Sequence, residues 1–242
     1  MAILTLDGLR KEFGGLAAVD GFDFMLETGD LHALVGPNGC GKSTLFNLIT
    51  GAIRPTDGRV TFDGHDITGL PPYRIARLGI GRKFQVPAVF DELSVAENLV
   101  VPGWAARPLP MWSAPPAAAV DDVLARIRLA AKRDHLAATL AHGERQWLEI
   151  GMLLASRARL LLLDEPTAGM TRTETEATGD LIRDIAAAGD VTILVIEHDI
   201  GFIRRLGCPV TVMAKGRVLR SGGYDEIRAD EEVRALYFGR GH

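Results

Sequence analysis

One segment of the chain has the residue types and the spacing of a polyphosphate-binding loop, G-x-x-x-x-G-K-S/T. The segment and the residue that follows it are Gly36, Pro37, Asn38, Gly39, Cys40, Gly41, Lys42, Ser43 and Thr44. Backbone N–H groups in such a loop can surround phosphate oxygens, and its glycines allow the close approach. We expect Lys42 to bring its charge to the outer phosphates, Ser43 to bind Mg²⁺ and Thr44 to add a contact.

Two carboxylates follow an apolar run at residues 160–163 and would stand at the end of a buried strand. In parallel α/β sheets, ligands bind at the carboxyl ends of the strands. We expect Asp164 to hold Mg²⁺, directly or through water, and Glu165 to accept a proton from an attacking water. The pattern alone fits solvated acids at a strand end equally well, but the phosphate loop in the same chain favours the functional interpretation.

His198 lies two residues after the end of the next apolar run, residues 191–196, which also predicts a buried strand. This placement predicts that His198 lies at the same edge of the sheet, within reach of a γ-phosphate. By itself, a histidine at a strand end is more often structural. Gln85 lies at the entrance to the central part of the chain, where the pattern alone favours an exposed loop amide.

Hydrophobic periodicity predicts the elements that must position these residues. The predicted strands cover residues 3–9, 22–26, 31–35, 160–163 and 191–196, with hairpins near 59–64 and 209–220. The predicted helices cover residues 42–50, 117–131, 143–156 and 173–188, and residues 102–116 have the composition of a loop. The helix at 117–131 would place Ala131 on its apolar face. Strand–helix–strand alternation after residue 159 predicts an α/β core with a parallel sheet, interrupted by a mostly helical insertion.

The composition narrows the class of protein. The chain has 242 residues, 27 basic and 31 acidic side chains, a formal net charge of −4 and 47% hydrophobic residues. These values are typical of a globular protein and exclude a disordered or fibrous chain. The acidic balance argues against a nucleic-acid partner, and two cysteines, Cys40 and Cys208, do not suffice for a disulfide framework. No apolar run is long enough to span a bilayer, so we expect a soluble, cytoplasmic protein.

Taken in this order, the motifs resemble those of the nucleotide-binding domain of ABC proteins, over essentially the whole chain. The resemblance implies an α/β P-loop NTPase cassette with a parallel core sheet, an antiparallel N-terminal β subdomain and an inserted α-helical subdomain. It implies one domain over residues 1–242, with 1–86 and 157–242 as the core and 87–156 as the helical part. The implied ligands are ATP and Mg²⁺. Gln85 becomes a catalytic and Mg²⁺-binding residue, and His198 stabilises the transferring phosphoryl group.

The family signature, Leu-Ser-Gly-Gly-Gln, is similar to residues 140–144. The nucleotide contacts carried over from it are Ala141, His142, Gly143 and Glu144. Gly143 opens an amphipathic helix whose N-terminal amides can bind an anion, and in the family's head-to-tail dimer this end closes over the ATP of a partner. Ala141, Glu144 and Thr171 depart from the family's Ser, Gln and Asp, which predicts that this signature forms the weaker of two unequal sites. Phe13 resembles the aromatic that stacks on adenine, although a core position fits it equally well.

A cassette without an attached membrane domain resembles the import-type arrangement. Residues 81–85, 140–154 and 168–170 resemble one ATPase subunit of the urea importers, in a group that also carries branched-chain amino acids and short amides. The implied partners are a second homologous ATPase subunit, two permease subunits and an extracytoplasmic solute-binding protein. The chain would then be peripheral to the cytoplasmic side of the inner membrane.

Several alternatives stay open at this point. The apolar cluster of residues 86–93 fits either a permease docking surface or core; its members are Val86, Pro87, Ala88, Val89, Phe90 and Leu93. A non-transport ABC ATPase acting on nucleic acid is disfavoured because the chain is acidic and has one cassette. A GTPase would need an Asn-Lys-x-Asp motif, and no Asn of this chain is followed by Lys. A P-loop kinase would not need the helix end at Gly143.

Overall fold

The computed structural model describes residues 1–83, 89–105 and 116–238. Its strands are β1 (Ala2–Phe13), β2 (Leu16–Glu27), β3 (Leu31–Val35), β4 (Asp57–Phe62), β5 (His65–Asp66), β6 (Ile80–Lys83), β7 (Leu160–Asp164), β8 (Thr192–Ile196), β9 (Val210–Ala214) and β10 (Arg217–Gly222). Its helices are α1 (Lys42–Ile49), α2 (Pro72–Leu78), α3 (Val95–Ala105), α4 (Ala117–Arg126), α5 (His142–Ala155), α6 (Arg172–Ala187), α7 (Ile200–Leu206), α8 (Tyr224–Ala229) and α9 (Glu231–Phe238).

The larger sheet brings the strands of the predicted site side by side. Its order is β10-β9-β3-β8-β7-β6, and all of these strands except β10 run parallel. Every residue of β7 and β8 is buried, as expected for parallel strands covered on both faces. Ile196 pairs with both Leu34 and Asp164, so the carboxyl ends of β3, β8 and β7 meet at one edge.

The smaller sheet is antiparallel and has the order β2-β1-β4-β5. With α1 it covers one face of the larger sheet, in a core that includes Leu160 and Leu162. Helices α3–α7 cover the other face, in a core that includes Leu161 and Leu163. Successive residues of β7 therefore point into different cores, as the two-residue repeat of a strand requires. The predicted α/β class, parallel core sheet and antiparallel N-terminal sheet are confirmed.

Helices α3, α4 and α5 lie between β6 and β7 in the chain and pack on one another. A Cβ on Gly151 of α5 would lie 2.5 Å from Ile127 Cδ1 and 3.1 Å from Leu99 Cδ2, so a larger residue there would require these side chains to shift. The division of the chain into a core and a helical part at residues 87 and 156 stays a prediction.

Several predicted boundaries are wrong. Strand β1 continues past residue 9 to Phe13, and β2 begins at Leu16 rather than at residue 22. Helix α4 ends at Arg126 rather than at residue 131, because Arg128 has a left-handed backbone (φ +60°) that a helix cannot accommodate. Ala131 is consequently exposed. The predicted loop at 102–116 is wrong for its first four residues, because α3 continues through Pro102 while Val95 and Leu99 anchor it in the core. Residues 106–115 lie outside the described residues.

Several helices have no counterpart in the prediction: α2, α3, α7, α8 and α9. The helices α2, α7 and α8 have six or seven residues, too few to show a periodic apolar face. Within the described part of the chain, no helix combines the length and apolarity needed to cross a membrane.

Candidate active site

The phosphate loop joins β3 to α1 and has positive φ values that glycine adopts without strain. Gly39 and Gly41 have φ values of +77° and +112°. A Cβ on Gly41 would overlap the carbonyl oxygen of Ala18 in β2, and one on Gly36 would overlap that of Met213 in β9. The loop is therefore wedged between the two sheets, and larger residues at these glycines would displace it.

Lys42 is folded back into the concave side of the loop. Its Nζ donates hydrogen bonds to the carbonyl oxygens of Gly36 (2.7 Å) and Pro37 (3.0 Å). Cys40 is buried beside it, and burial raises the pKa of the Cys40 thiol. The ammonium group thus lies inside the loop that the sequence predicts to bind phosphate, with Asn38 and Gly39 exposed at the rim.

Ser43 and Asp164 offer the oxygen ligands that Mg²⁺ prefers. Ser43 is exposed in the first turn of α1, Thr44 is half-buried beside it, and Asp164 is the last residue of β7. Among the described residues, no group of three or more His, Cys, Asp or Glu could hold a metal ion by itself. A magnesium ion bound by one or two protein oxygens and by substrate phosphates fits this donor set.

Two cations at the end of β6, a half-buried arginine and a buried lysine, neutralise the carboxylates near the site. Arg82 donates hydrogen bonds to Asp164 and to Asn47 Oδ1 (2.6 Å). Lys83 Nζ lies 3.5 Å from Glu149 Oε2 on α5, and Lys83 is 2% exposed. Burial lowers the pKa of Lys83, and the carboxylates of Glu149, Asp164 and Glu197 oppose that shift.

Glu165 and His198 approach each other at the edge of the sheet. Glu165 Oε1 lies 3.6 Å from His198 Nδ1. Glu165 has a left-handed backbone (φ +46°), a strained conformation for a residue with a Cβ, and its N–H donates to the carbonyl of Ile196 at the end of β8. The structure therefore brings together the two residues that the sequence predicts as base and phosphoryl-stabilising group.

The residues of the signature segment contact the loop that follows Glu165. His142 Nε2 donates to the carbonyl of Ala168 (3.0 Å). Glu144 Oε2 accepts from the N–H of Ala141 (3.0 Å) and from Lys132 Nζ (2.6 Å). Ala141 caps α5 without a side-chain acceptor. Within the described residues, no hydrogen bond or ion pair joins residues 141–144 to the phosphate loop.

Glu174 connects the first turns of α5 and α6. Its Oε2 accepts from the N–H (2.9 Å) and Oγ1 (2.7 Å) of Thr171, the N-cap of α6. These bonds lower the pKa of Glu174. A Cβ on Gly143 would lie 3.2 Å from Glu174 Oε1, so a larger residue would require the Glu174 side chain to move by a few tenths of an ångström. Thr171 therefore has a structural role as the N-cap of α6.

Phe13 lies at the end of β1 and is 49% exposed, which excludes the core alternative. The centroid of its ring lies 5.1 Å from Lys11 Nζ. In the β1–β2 hairpin, Phe13 is paired with Leu16. The carbonyl of Ala18, two residues further along β2, packs against Gly41. The hairpin end that carries Phe13 therefore adjoins the phosphate loop.

Part of the predicted site lies outside the described residues, namely Gln85 and the cluster members Val86, Pro87 and Ala88. Of the remaining cluster members, Val89 packs against the core and Phe90 is exposed. Leu136 is exposed on a segment that pairs with residues 91–96, since Ala137 N–H donates to the carbonyl of Leu93. Part of the described cluster thus packs against the core and part is exposed, and a docking role for the exposed part stays a prediction.

Sequence reasoning missed a group of buried or half-buried polar residues around the carboxylates. They are Arg82, Lys83, Glu149, Thr167 and Glu197. The available signal was a charged residue directly at the end of an apolar strand, as for Glu197 after residues 191–196. That signal does not distinguish a buried charge from a solvated one, because the difference depends on neighbours from other strands.

Residues 19–168 match the family model described as ABC transporter. The chain is 35% identical over 251 residues to the high-affinity branched-chain amino acid transport ATP-binding protein BraF of Pseudomonas aeruginosa, covering 98% of each protein. It is 35% identical over 249 residues to the corresponding protein LivG of Salmonella typhimurium, again covering 98% of each.

A solved structure shares the fold over the whole chain. The crystal structure of the ADP conformation of an ATP-binding cassette of an ABC transporter superimposes with a TM-score of 0.86 at 30% sequence identity, covering 99% of this chain and 100% of that one. The two relatives are named for branched-chain amino acid transport, which corresponds to the alternative solute of the sequence analysis and not to urea.

Proposed function

The chain belongs to the ABC transporter family, whose ATP-binding cassettes are ATPases coupled to transport, and we propose that it energises an importer of branched-chain amino acids. The observation that carries the hydrolytic mechanism is the 3.6 Å approach of Glu165 Oε1 to His198 Nδ1 beside the phosphate loop. The solute class is supported by the activity for which BraF and LivG are named.

In the proposed reaction, the backbone N–H groups of residues 38–44 bind the phosphates of ATP. Lys42 exchanges its bonds to the carbonyls of Gly36 and Pro37 for bonds to phosphate oxygens. Because Lys42 is already held inside the loop, little conformational entropy is lost when it binds. Phe13 stacks on the adenine from the adjoining hairpin.

Ser43 and Asp164 would hold Mg²⁺, together with Gln85. The ion, when bound, neutralises phosphate charge and orients the phosphates for in-line attack. Arg82 holds one oxygen of the Asp164 carboxylate through its hydrogen bond to Oδ2. Each of these protein ligands offers oxygen, the ligand atom that this ion prefers.

Glu165 accepts a proton from the attacking water as the oxygen–phosphorus bond forms and the bond to the ADP oxygen breaks. His198 stabilises the charge on the transferring phosphoryl group. The left-handed backbone of Glu165 supports this role, because strained backbone conformations of this kind cluster at active sites.

The signature helix α5 serves a second nucleotide, bound by a partner ATPase subunit in a head-to-tail dimer. Residues 141–144 close over the γ-phosphate of that nucleotide, and hydrolysis releases the contact. Ala141 brings no hydroxyl group and Glu144 brings a negative charge, so this composite site is the weaker of the two. Two permease subunits and an extracytoplasmic binding protein complete the importer, with the chain on the cytoplasmic face of the membrane.

The experiment measures ATP hydrolysis by the complex of the full chain with its co-purified permease subunits in proteoliposomes. The binding protein is added with leucine, urea or acetamide. Stimulation by leucine is expected. Stimulation by urea or acetamide alone would overturn the solute proposal and leave the ATPase assignment intact.

A separate variant tests the base. Glu165→Gln removes the proton acceptor while keeping the size of the side chain, so turnover should fall about 10²- to 10⁴-fold while ATP still binds. Turnover within twofold of the parent protein would show that another group accepts the proton.

A further inference from the structure

Glu197 is a buried carboxylate that the mechanism above does not use. It follows β8 directly and is 1% exposed, whereas its neighbour His198 is exposed. Burying an ionised carboxylate is costly unless hydrogen bonds replace the lost water. The groups that replace that water therefore show what this side chain holds in place.

The two oxygens of Glu197 are bonded to two different loops of the site. Oε1 accepts hydrogen bonds from the Oγ1 (2.5 Å) and the N–H (3.2 Å) of Thr167, two residues after Glu165. Oε2 accepts from the backbone N–H of His198 (3.1 Å). One side chain thus fixes the loop after β7 and the loop after β8.

The backbone of Glu197 adds a third connection. Its N–H donates to the carbonyl of Leu34 (3.4 Å) in β3, the strand that leads into the phosphate loop. The His198 ring lies between two carboxylates, with Nδ1 at 3.6 Å from Glu165 Oε1 and 3.8 Å from Glu197 Oε2. A shift of Glu197 would therefore move His198 relative to both Glu165 and the phosphate loop.

We propose that Glu197 is a positioning residue that locks the loops carrying Glu165 and His198 into one hydrolytic geometry. The inference rests on the proposed roles of these two residues. It adds that their relative position is set by a third residue, through bonds that do not involve the nucleotide. A purely structural role would instead stabilise the fold without changing the rate of hydrolysis by folded protein.

The test is a double-mutant cycle on the full chain in its transporter complex, combining Glu197→Gln with His198→Ala. Gln keeps the size of the side chain but cannot accept at both ends, because its amide nitrogen would face one of the N–H donors. The turnover number should fall about 10- to 100-fold, the loss expected when a reacting group is displaced by about 1 Å. The affinity for a fluorescent ATP analogue should change less than twofold. In the His198→Ala background, the loss caused by Glu197→Gln should be smaller than in the parent protein, because one of the two positioned groups is absent.

Additive losses in the cycle, or a normal turnover number in Glu197→Gln, would overturn the inference. A normal turnover number in His198→Ala alone would instead refute the proposed role of the histidine, so the two failures are distinguishable. Thr167→Val is the second variant, since it removes the 2.5 Å hydrogen bond and leaves the buried charge in place. It should lower the turnover number in the same His198-dependent manner, and an unchanged turnover number there also counts against the inference.

Discussion

Arg82 donates a hydrogen bond of 2.9 Å to Oδ2 of Asp164, and the two side chains are 9% and 4% exposed. The guanidinium also lies 5.5 Å from the ring of Phe46. Removing one partner of a buried ion pair leaves the other charge in a poorly hydrated place. The ion pair therefore joins β6 to β7 and holds in place the carboxylate that is proposed to bind Mg²⁺.

Arg82→Met should lower the free energy of unfolding by about 3–5 kcal/mol. Urea denaturation of the purified chain measures it. Arg172→Met is the matched control, because its ion pair with Glu176 is exposed and should contribute less than about 1 kcal/mol. Equal losses in the two variants would contradict the importance of burial.

His32 should make the fold sensitive to mild acid. It is buried, its Nε2 lies 2.9 Å from Thr211 Oγ1, and burial lowers its pKa to about 4 from 6.5. Above pH 6.5 the histidine is neutral in both the folded and the unfolded state. Below that pH the histidine becomes protonated in the unfolded chain but stays neutral in the folded chain. The free energy of unfolding therefore falls between pH 6.5 and 4 by up to about 3 kcal/mol.

Replacing His32 by Gln should remove this component of the pH dependence, measured as the free energy of unfolding at pH 7.5 and pH 4.5. His135→Gln, at an exposed position, should leave it unchanged. The prediction fails if His32→Gln and the parent protein lose the same stability over this interval.

Ala141→Ser should give α5 a side-chain N-cap and a contact with the phosphate of the partner's nucleotide. A serine at the N-cap accepts a hydrogen bond from the first turn and stabilises a helix by about 1 kcal/mol. In the assembled transporter, the same hydroxyl should increase single-turnover hydrolysis at the site that this signature forms. Ala125→Ser, exposed in the last turn of α4, provides the control. No gain in hydrolysis would argue against a site weakened by Ala141.

Phe13→Ala should weaken ATP binding about 2- to 13-fold, because a stacked aromatic ring contributes roughly 0.5–1.5 kcal/mol. Titration with a fluorescent ATP analogue measures the change. Leu16→Ala removes an apolar side chain that is also exposed, directly opposite on the hairpin, and should leave the affinity unaltered. Similar losses in both variants would point to a disturbed hairpin rather than to stacking.

Phe90→Asp should uncouple transport from hydrolysis. Phe90 is 48% exposed, and a charge there would oppose docking of an apolar permease segment without disturbing the core. We expect solute uptake by proteoliposomes to be lost while basal ATP hydrolysis is retained. Tyr73→Asp places the same charge on an exposed aromatic of α2 and should leave uptake intact. Loss of folding in Phe90→Asp would support the core interpretation of the cluster.

Much of the candidate site is local in the sequence and was predictable from it. The phosphate loop occupies consecutive residues, and the runs before Asp164 and His198 are apolar because both faces of their strands are buried. The positions of β3, α1, β7 and α6 were predicted to within one residue at each end. Helix α4 was overextended because the left-handed backbone of Arg128 has no signature in hydrophobic periodicity.

By itself, the sequence determined which residues carry phosphate-binding and carboxylate chemistry, since spacing along the chain encodes both. Tertiary structure alone decided which side chains meet. Thr167 and Glu197 are bonded across 30 positions, and Arg82 and Asp164 across 82. Such pairs depend on the register of neighbouring parallel strands, where a shift of one residue would turn each side chain to the opposite face. Register is set by the packing of both cores, so it can be read only from the folded chain.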